Sequence, residues 1–437
     1  MNIVMLGAGY VGLVSGACFS EFGFNVTCID KNKKKINNLK KGVLPIYEPG
    51  LDDLVNKNYK KGNLNFSSNL HETISDADAI FIAVGTPERR GDGHADLSFV
   101  YSAAKEIAPL LKKYVLIITK STVPVGTSFE IKNIIRKNNK NVDFDVVSNP
   151  EFLREGSAIE DFMRPNRVVV GFESEKSKKI MKKIYQPLFL IQTPILFTDL
   201  KSAELIKYSS NAFLALKISF INQMADLCES LNTDIHSISK GMGLDKRIGD
   251  KFLHPGPGYG GSCFPKDTVA LSKIASDNNV EISLIDKVID YNSQRKKSLI
   301  SRVKKIAGPN LNNMIVSVLG LSFKPGTDDM RESPALDLIP PLIREVRKIN
   351  VFDPVAMEEA SRMLKNVNFC TSVDKCLKNT DLLIILTEWS EFRTISSDYL
   401  SKLMNGNIVI DFRNALSPSN FKNNNFVLYQ IGRGPFI

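Results

Sequence analysis

No two cysteines in this 437-residue chain stand in a CxxC, and none has the Cys/His spacing that suits zinc; Cys18, Cys28, Cys228, Cys263, Cys370 and Cys376 are scattered. Neither a disulfide framework nor a structural metal is indicated, and a reducing, cytoplasmic setting is the expectation. A dense basic patch is also missing. The 57 Lys+Arg against 47 Asp+Glu leave +10 spread over the whole length, which argues against nucleic acid as a partner and fits small anionic ligands. Residues 1–20 hold no charged side chain, and on hydropathy alone they suggest a signal peptide or a membrane span. No basic segment precedes the apolar run and no small-residue cleavage site follows it, while Gly7, Gly9, Gly12 and Gly16 interrupt it, so no membrane association is expected. What remains, 43% hydrophobic and 24% charged, is a globular composition too long for one ordinary domain.

Short aliphatic runs alternate with helix-length amphipathic segments, the pattern of βαβ units and a parallel sheet. The predicted strands are Ile3–Leu6, Val26–Ile29, Ala79–Val84, Val115–Thr119 and Phe144–Val147, each followed by a polar or glycine-containing turn. In an open parallel sheet those turns gather along one edge, where ligands bind. Residues 200–231 form a charge-poor stretch without Pro or Gly; as one helix it spans roughly 48 Å. Apolar over much of its circumference, it belongs between domains or at a subunit interface. A new aliphatic run, Ile315–Leu319, follows Pro309, and the last third weakly echoes the first: Ile315–Gly320 against Ile3–Gly7, Val351–Asp353 against Cys28–Asp30. The fold class expected is α/β, with two Rossmann-like doubly wound domains joined by a long central helix, divided as 1–199, 200–308 and 309–437. The second lacks the full glycine signature and is not expected to hold a dinucleotide in the same way.

Gly7-Ala-Gly9-Tyr-Val-Gly12 follows a strand and opens a helix, and Asp30 ends the next strand eighteen residues after Gly12. Two glycines allow the tight turn and the approach of a pyrophosphate, the third lets helix meet strand, and the acid accepts ribose hydroxyls. Asp30 favours NAD over NADP, because a 2′-phosphate would face a carboxylate; the neighbouring Lys31, Lys33, Lys34 and Lys35 soften that inference. Next, Gly256-Pro-Gly-Tyr-Gly260-Gly-Ser-Cys263-Phe-Pro-Lys266-Asp267 sets a cysteine beside a Lys and an Asp in a glycine-rich loop, the ingredients of an activated nucleophile. Cys18, Cys28 and Cys228, inside apolar segments, read as small buried hydrophobes. In Asn149-Pro-Glu151-Phe-Leu-Arg154-Glu155-Gly156, two glutamates four apart would share a helical face suited to acid–base work, or salt-bridge with Arg154 at the surface. Lys207 and Asn211 lie i,i+4 on the long helix, where Lys207 either has a buried role or snorkels to solvent.

Over essentially the whole chain these residues resemble the UDP-glucose/GDP-mannose dehydrogenase family: Gly7–Gly12, Gly85–Pro87, Lys120–Pro124, Asn149–Leu153, the helix with Lys207 and Asn211, Gly260–Asp267, and Phe323–Lys324 through Arg331–Ser333. The resemblance implies NAD-dependent oxidation of the C6 hydroxyl of a nucleotide sugar to a carboxylate in two steps, with UDP-glucose as substrate and GDP-mannose or a UDP-N-acetylhexosamine as the alternative. It implies Cys263 as the nucleophile, proton handling by Asp267, a water and Lys207, oxyanion stabilisation by Lys207 and Asn211, and thioester hydrolysis assisted by Glu151 and a Thr122-held water. Cofactor contacts fall on Gly7, Gly9, Val11, Gly12, Asp30, Lys35, Thr86, Thr122, Glu155, Lys266 and Arg331. Substrate contacts fall on Glu151, Phe152, Leu153, Arg154, Glu155, Lys207, Asn211, Phe252, Leu253, His254, Pro255, Gly256, Tyr259, Gly260 and Lys324. Arg247 would reach the substrate of a neighbouring subunit, implying a homodimer across the long helix. No metal is implied.

Overall fold

The structure is a computed structural model that describes residues 1–89, 91–421 and 425–436. It divides into two compact units, Met1–Ser210 with Lys273–Val280, and Asn211–Ser272 with Glu281–Ile437. Four helices matter below: α1 (Tyr10–Glu21), α2 (Leu200–Leu231), α3 (Phe264–Asp277) and α4 (Ser283–Ala307).

The first unit is built on eight strands, β1 (Asn2–Leu6), β2 (Asn25–Ile29), β3 (Leu64–Ser67), β4 (Ala79–Ile82), β5 (Val115–Thr119), β6 (Phe144–Ser148), β7 (Val168–Gly171) and β8 (Ile195–Thr198). Their order is β3-β2-β1-β4-β5-β6-β7-β8. The neighbours from β3 to β6 run parallel, β7 turns antiparallel to β6, and β8 is parallel to β7. Helices on both faces leave β4 and β5 wholly buried, which is why they are near-continuous runs of Ala, Ile, Val and Leu rather than alternating ones. All five strands expected from sequence are present, with β4 ending at Ile82 rather than Val84. The short β3, β7 and β8 were not foreseen. The order reverses beside β1, which pairs with both β2 and β4, and that switch point is where an open sheet leaves a crevice. Helix α1 packs on this sheet through Phe19, whose ring centroid lies 4.9 Å from Phe162, 5.0 Å from Phe81 and 5.7 Å from Tyr185. Burying one such side chain contributes about 1.5–3 kcal/mol. The uncharged N-terminus is therefore a core strand followed by a core helix, and among the described residues no helix is long and apolar enough to cross a membrane.

The second unit repeats the topology with β9 (Ile315–Leu319), β10 (Lys348–Phe352), β11 (Asn368–Phe369), β12 (Leu382–Ile385), β13 (Ile408–Asp411) and β14 (Val427–Gln430), in the order β11-β10-β9-β12-β13-β14, all parallel. Asp353, at the end of β10, is fully buried. It accepts hydrogen bonds from the backbone of Leu321 and Ser322, from the Ser322 hydroxyl and the Trp389 indole, and from the backbone of Val355 and Ala356. The acid that corresponds in position to Asp30 is thus consumed by the turn after β9. Helix α2 runs over the predicted span, Leu200–Leu231.

Candidate functional site

The turn after β1 is closed by glycines for steric reasons. Gly7 has φ +102°, and a Cβ there would sit 2.6 Å from the Ala83 carbonyl oxygen; one on Gly12 would sit 1.9 Å from the Gly7 carbonyl oxygen. A Cβ on Gly9 would meet nothing within 4 Å. Two glycines close the turn against its own sheet, and the third keeps open the space that a pyrophosphate needs. Asp30 answers from the end of β2: Oδ2 accepts from Ala8 N (3.1 Å) and Lys35 Nζ (2.7 Å), and Oδ1 from Asn32 N (2.9 Å). Partial burial pushes this carboxyl up, but the bonds from Lys35 and the two backbone N–H groups outweigh it and hold it below the usual carboxylate range. Val11 flanks the turn, and the buried Thr86 and Thr122 follow β4 and β5. These residues fit a dinucleotide.

The segment after β6 differs from expectation. Glu151 and Glu155 share no helical face, because 151–154 is irregular, Gly156 takes φ +78°, and the next helix begins only at Ala158. Arg154 does not pair with either glutamate; it forks onto Asp161, with Nη2 2.6 Å from Oδ1. Glu151 turns inward. Its Oε2 accepts from Leu153 N (2.6 Å) and its Oε1 from Lys207 Nζ (3.2 Å). Both members of that pair are nearly inaccessible, at 6% and 4% side-chain exposure. Lys207 therefore does not snorkel; it is buried with a carboxylate, beside the Phe152 ring.

Glu48 is a residue the sequence reading passed over. It accepts from the Tyr10 hydroxyl, from Gly156 N (2.6 Å) and from Ala158 N (2.7 Å), tying the start of α1 to the loop that carries Glu155. Its partners lie 38 to 110 residues away in sequence, so nothing local marks it.

In the second unit Cys263 immediately precedes α3, and its carbonyl oxygen accepts from Asp267 N (2.9 Å), the first turn of that helix. Cys263 is half-buried, with its sulfur 3.4 Å from Ser262 Oγ. A helix N-terminus stabilises negative charge that develops on such a sulfur. The other five cysteines are buried, and burial pushes the Cys28 thiol up to about 12. Asp267 is 1% exposed, accepts from Asn211 Nδ2 (2.6 Å) and pairs with Lys266. Glycine is obligatory in the loop before it: a Cβ on Gly260 would lie 2.2 Å from the Glu332 carbonyl oxygen. The loop hangs on residues missed from sequence. Asn292 bonds both the N–H (2.8 Å) and the carbonyl (3.0 Å) of Tyr259; Arg295 donates to the Gly256 carbonyl (2.7 Å), and Asn222 accepts from Gly256 N (2.8 Å). Phe252 is held at φ +63°, alone among the described aromatic residues in the left-handed region. Leu253, Pro255 and Gly256 are buried and His254 is exposed. Lys324 lies over Phe323, Arg331 pairs with Asp329, and Arg247 is a surface side chain paired with Asp245.

The predicted residues thus fall into two sets. Gly7, Gly9, Val11, Gly12, Asp30, Lys35, Thr86, Thr122, Glu151–Glu155 and Lys207 belong to the first unit; Asn211, Arg247, Phe252–Gly256, Tyr259, Gly260, Cys263, Lys266, Asp267, Lys324 and Arg331 belong to the second.

Comparison with known proteins gives matches along most of the chain. Residues 1–189 match the NAD binding domain of the UDP-glucose/GDP-mannose dehydrogenase family, 201–294 its central domain and 317–418 its UDP binding domain. A UDP-glucose 6-dehydrogenase of Rhizobium meliloti is 48% identical over 435 residues, covering 99% of this chain and all of the relative. Among solved structures, a UDP-glucose dehydrogenase from the archaeon Pyrobaculum islandicum superposes with a TM-score of 0.91 at 34% identity, covering 99% and 98% of the two chains. A UDP-D-ManNAc dehydrogenase from Pyrococcus horikoshii gives 0.85 at 26% identity over 99% and 100%.

Proposed function

Because the chain belongs to the UDP-glucose/GDP-mannose dehydrogenase family, we propose that it oxidises the C6 hydroxyl of UDP-glucose to the carboxylate of UDP-glucuronate, with NAD as cofactor. The observation that carries this reading is Cys263, accessible at the start of α3 with the buried Asp267 one turn on, in a chain that also has a dinucleotide turn. Bound NAD supplies the hydride acceptor, one molecule for each two-electron step. The protein's own residues do the rest. As the C6 hydroxyl is oxidised to an aldehyde, its proton passes to a water or to Lys207. Cys263 Sγ then adds to the aldehyde carbon, and Lys207 and Asn211 donate to the C6 oxygen to stabilise its charge. Loss of a second hydride turns this thiohemiacetal into a thioester. Glu151 draws a proton from a water held by Thr122, that water attacks the thioester, and the C–S bond breaks to release the acid and return the thiolate, which regains its proton through Asp267 and a water. Sulfur is needed because an aldehyde has poor access to a second hydride loss until a nucleophile adds to it.

We assign cofactor contacts to Gly7, Gly9, Val11, Gly12, Asp30, Lys35, Thr86, Thr122, Glu155, Lys266 and Arg331. Sugar-nucleotide contacts are assigned to 151–155, Lys207, Asn211, 252–256, Tyr259, Gly260 and Lys324. The working form is a homodimer. Phe213, Phe220, Leu227 and Leu231 repeat at helical spacing along α2 and remain exposed, an apolar stripe that a second copy would cover. Arg247, exposed at the surface, would exchange Asp245 for that copy's substrate site. The buried cysteines accord with a cytoplasmic location.

The test is a count of NADH per UDP-glucose consumed by the purified protein. Two is expected; one reduces the activity to aldehyde formation. NADH formed from GDP-mannose or a UDP-N-acetylhexosamine and none from UDP-glucose overturns the substrate.

A further inference from the structure

Lys120 is a buried cation that the reaction above does not use. It begins the turn after β5, two residues before Thr122. Its Nζ donates to Asn149 Oδ1 (3.2 Å) and Tyr185 Oη (3.4 Å), and the Tyr185 hydroxyl donates to the same Asn149 oxygen (2.5 Å). Asn149 in turn stands two residues before Glu151, at the end of the neighbouring strand β6, and anchors itself through Nδ2 to the Val169 carbonyl (2.8 Å) on β7. All three side chains are buried. None of the partners of Lys120 is a carboxylate. The charged and titratable groups that face it are Glu151 on the turn after β6, Lys207 on α2 and Tyr185 after the helix Glu175–Ile184; Arg167, ahead of β7, acts on Glu151.

Leaving a cation in such a place is unfavourable unless it does something there. We propose that Lys120 is a positioning residue for thioester hydrolysis, fastening the turn that carries Thr122 to the turn that carries Glu151 and surrounding Glu151 with positive charge. The inference rests on the function proposed above and adds a residue to it. Thr122 and Glu151 must meet one water, and both sit two residues beyond a member of the same buried hydrogen-bond cluster. Without Lys120 the two turns lose their shared anchor, and Glu151 loses a neighbouring cation. Burial pushes the Lys120 ammonium down to about 8, with Lys207 acting the same way and Glu151 opposing, so the group holds its proton at neutral pH at a cost in stability.

The experiment compares the wild-type protein with Lys120→Met and Tyr185→Phe. In Lys120→Met we expect kcat to fall at least about tenfold, part of the roughly hundredfold or more that general-base catalysis contributes, with kcat/KM for UDP-glucose and NAD unchanged, so that KM falls with kcat. Two NADH per chain should appear in a burst before the slow steady state, and the thioester should be detectable by mass spectrometry of the quenched protein. The melting temperature should equal or exceed that of the wild type, which a purely structural lysine would not give. Tyr185→Phe, which keeps the cation but loosens it, should accumulate thioester to a smaller extent and serves if Lys120→Met does not fold. Wild-type turnover in either folded variant, or reduced turnover without thioester, overturns the inference alone. A wild-type protein that makes no NADH from UDP-glucose overturns the reading of the whole site as well.

Discussion

Replacing Glu48 by Ala removes the acceptor for three donors at once: the Tyr10 hydroxyl, Gly156 N and Ala158 N. A hydrogen bond to a charged group contributes about 1.5–3 kcal/mol net, and a buried donor left unpaired costs about 1–3 kcal/mol. Ala158 is fully buried, whereas Gly156 and Tyr10 are half-buried and regain water. The simple sum is therefore an upper bound, and about 3–5 kcal/mol is expected. For a unit of this size that corresponds to a fall of roughly 6–20 °C in the melting transition. Glu48 also sets the loop bearing Glu155 against the start of α1, so NAD affinity should fall by at least about tenfold, which is about 1.4 kcal/mol of the total. Glu48→Gln keeps one acceptor oxygen without the charge and should lie between the two. The assays are calorimetry without ligand and NAD titration followed by tryptophan-independent heat of binding. A Glu48→Ala protein that melts within about 2 °C of the wild type, less than 1 kcal/mol is worth at this size, refutes the assignment of those hydrogen bonds.

Asp30→Ala should weaken NAD far more than UDP-glucose in separate titrations; equal weakening would mean that the ribose has been misplaced. Cys263→Ser should stall during or just after the first oxidation, so a yield of two NADH per sugar from that variant contradicts the thioester route. The pH dependence of stability should carry the mark of Lys120. Because its folded-state value is lowered to about 8 from 10.5, the unfolded chain binds the extra proton between those values, and the contribution of this residue to stability rises with pH across that window. The stability advantage of Lys120→Met over the wild type should therefore be largest below pH 8 and shrink towards pH 10.5; a difference independent of pH in denaturant titrations would contradict the burial of that charge.

The sequence made legible what is written in neighbouring residues. The Gly7–Gly12 turn, Asp30 and the strands around them follow from local pattern, as does α2, whose thirty-two residues contain nothing that breaks a helix. The pairing of Glu151 with Glu155 on one face failed for an equally local reason, since Pro150 precedes the pair and Gly156 turns the chain into the left-handed region before a helix can start. Glu48, Tyr185 and Asn292 stayed invisible, as did what Asn149 does inside its motif, because each is defined by partners far along the chain: Asn149 and Tyr185 are 36 residues apart, Asn292 and Tyr259 33. Lys120 stood within a recognised motif, yet its burial depends on three strands coming together, which no spacing rule conveys.

The engaged Asp353 has a bearing on how the protein sorts its ligands in a cell. Two folds of one topology in one chain invite a mix-up in which abundant dinucleotide crowds out the scarcer sugar nucleotide. In the second fold the carboxylate that stands where Asp30 stands in the first is already engaged by six internal donors, so it has no spare acceptor to offer an adenosine ribose.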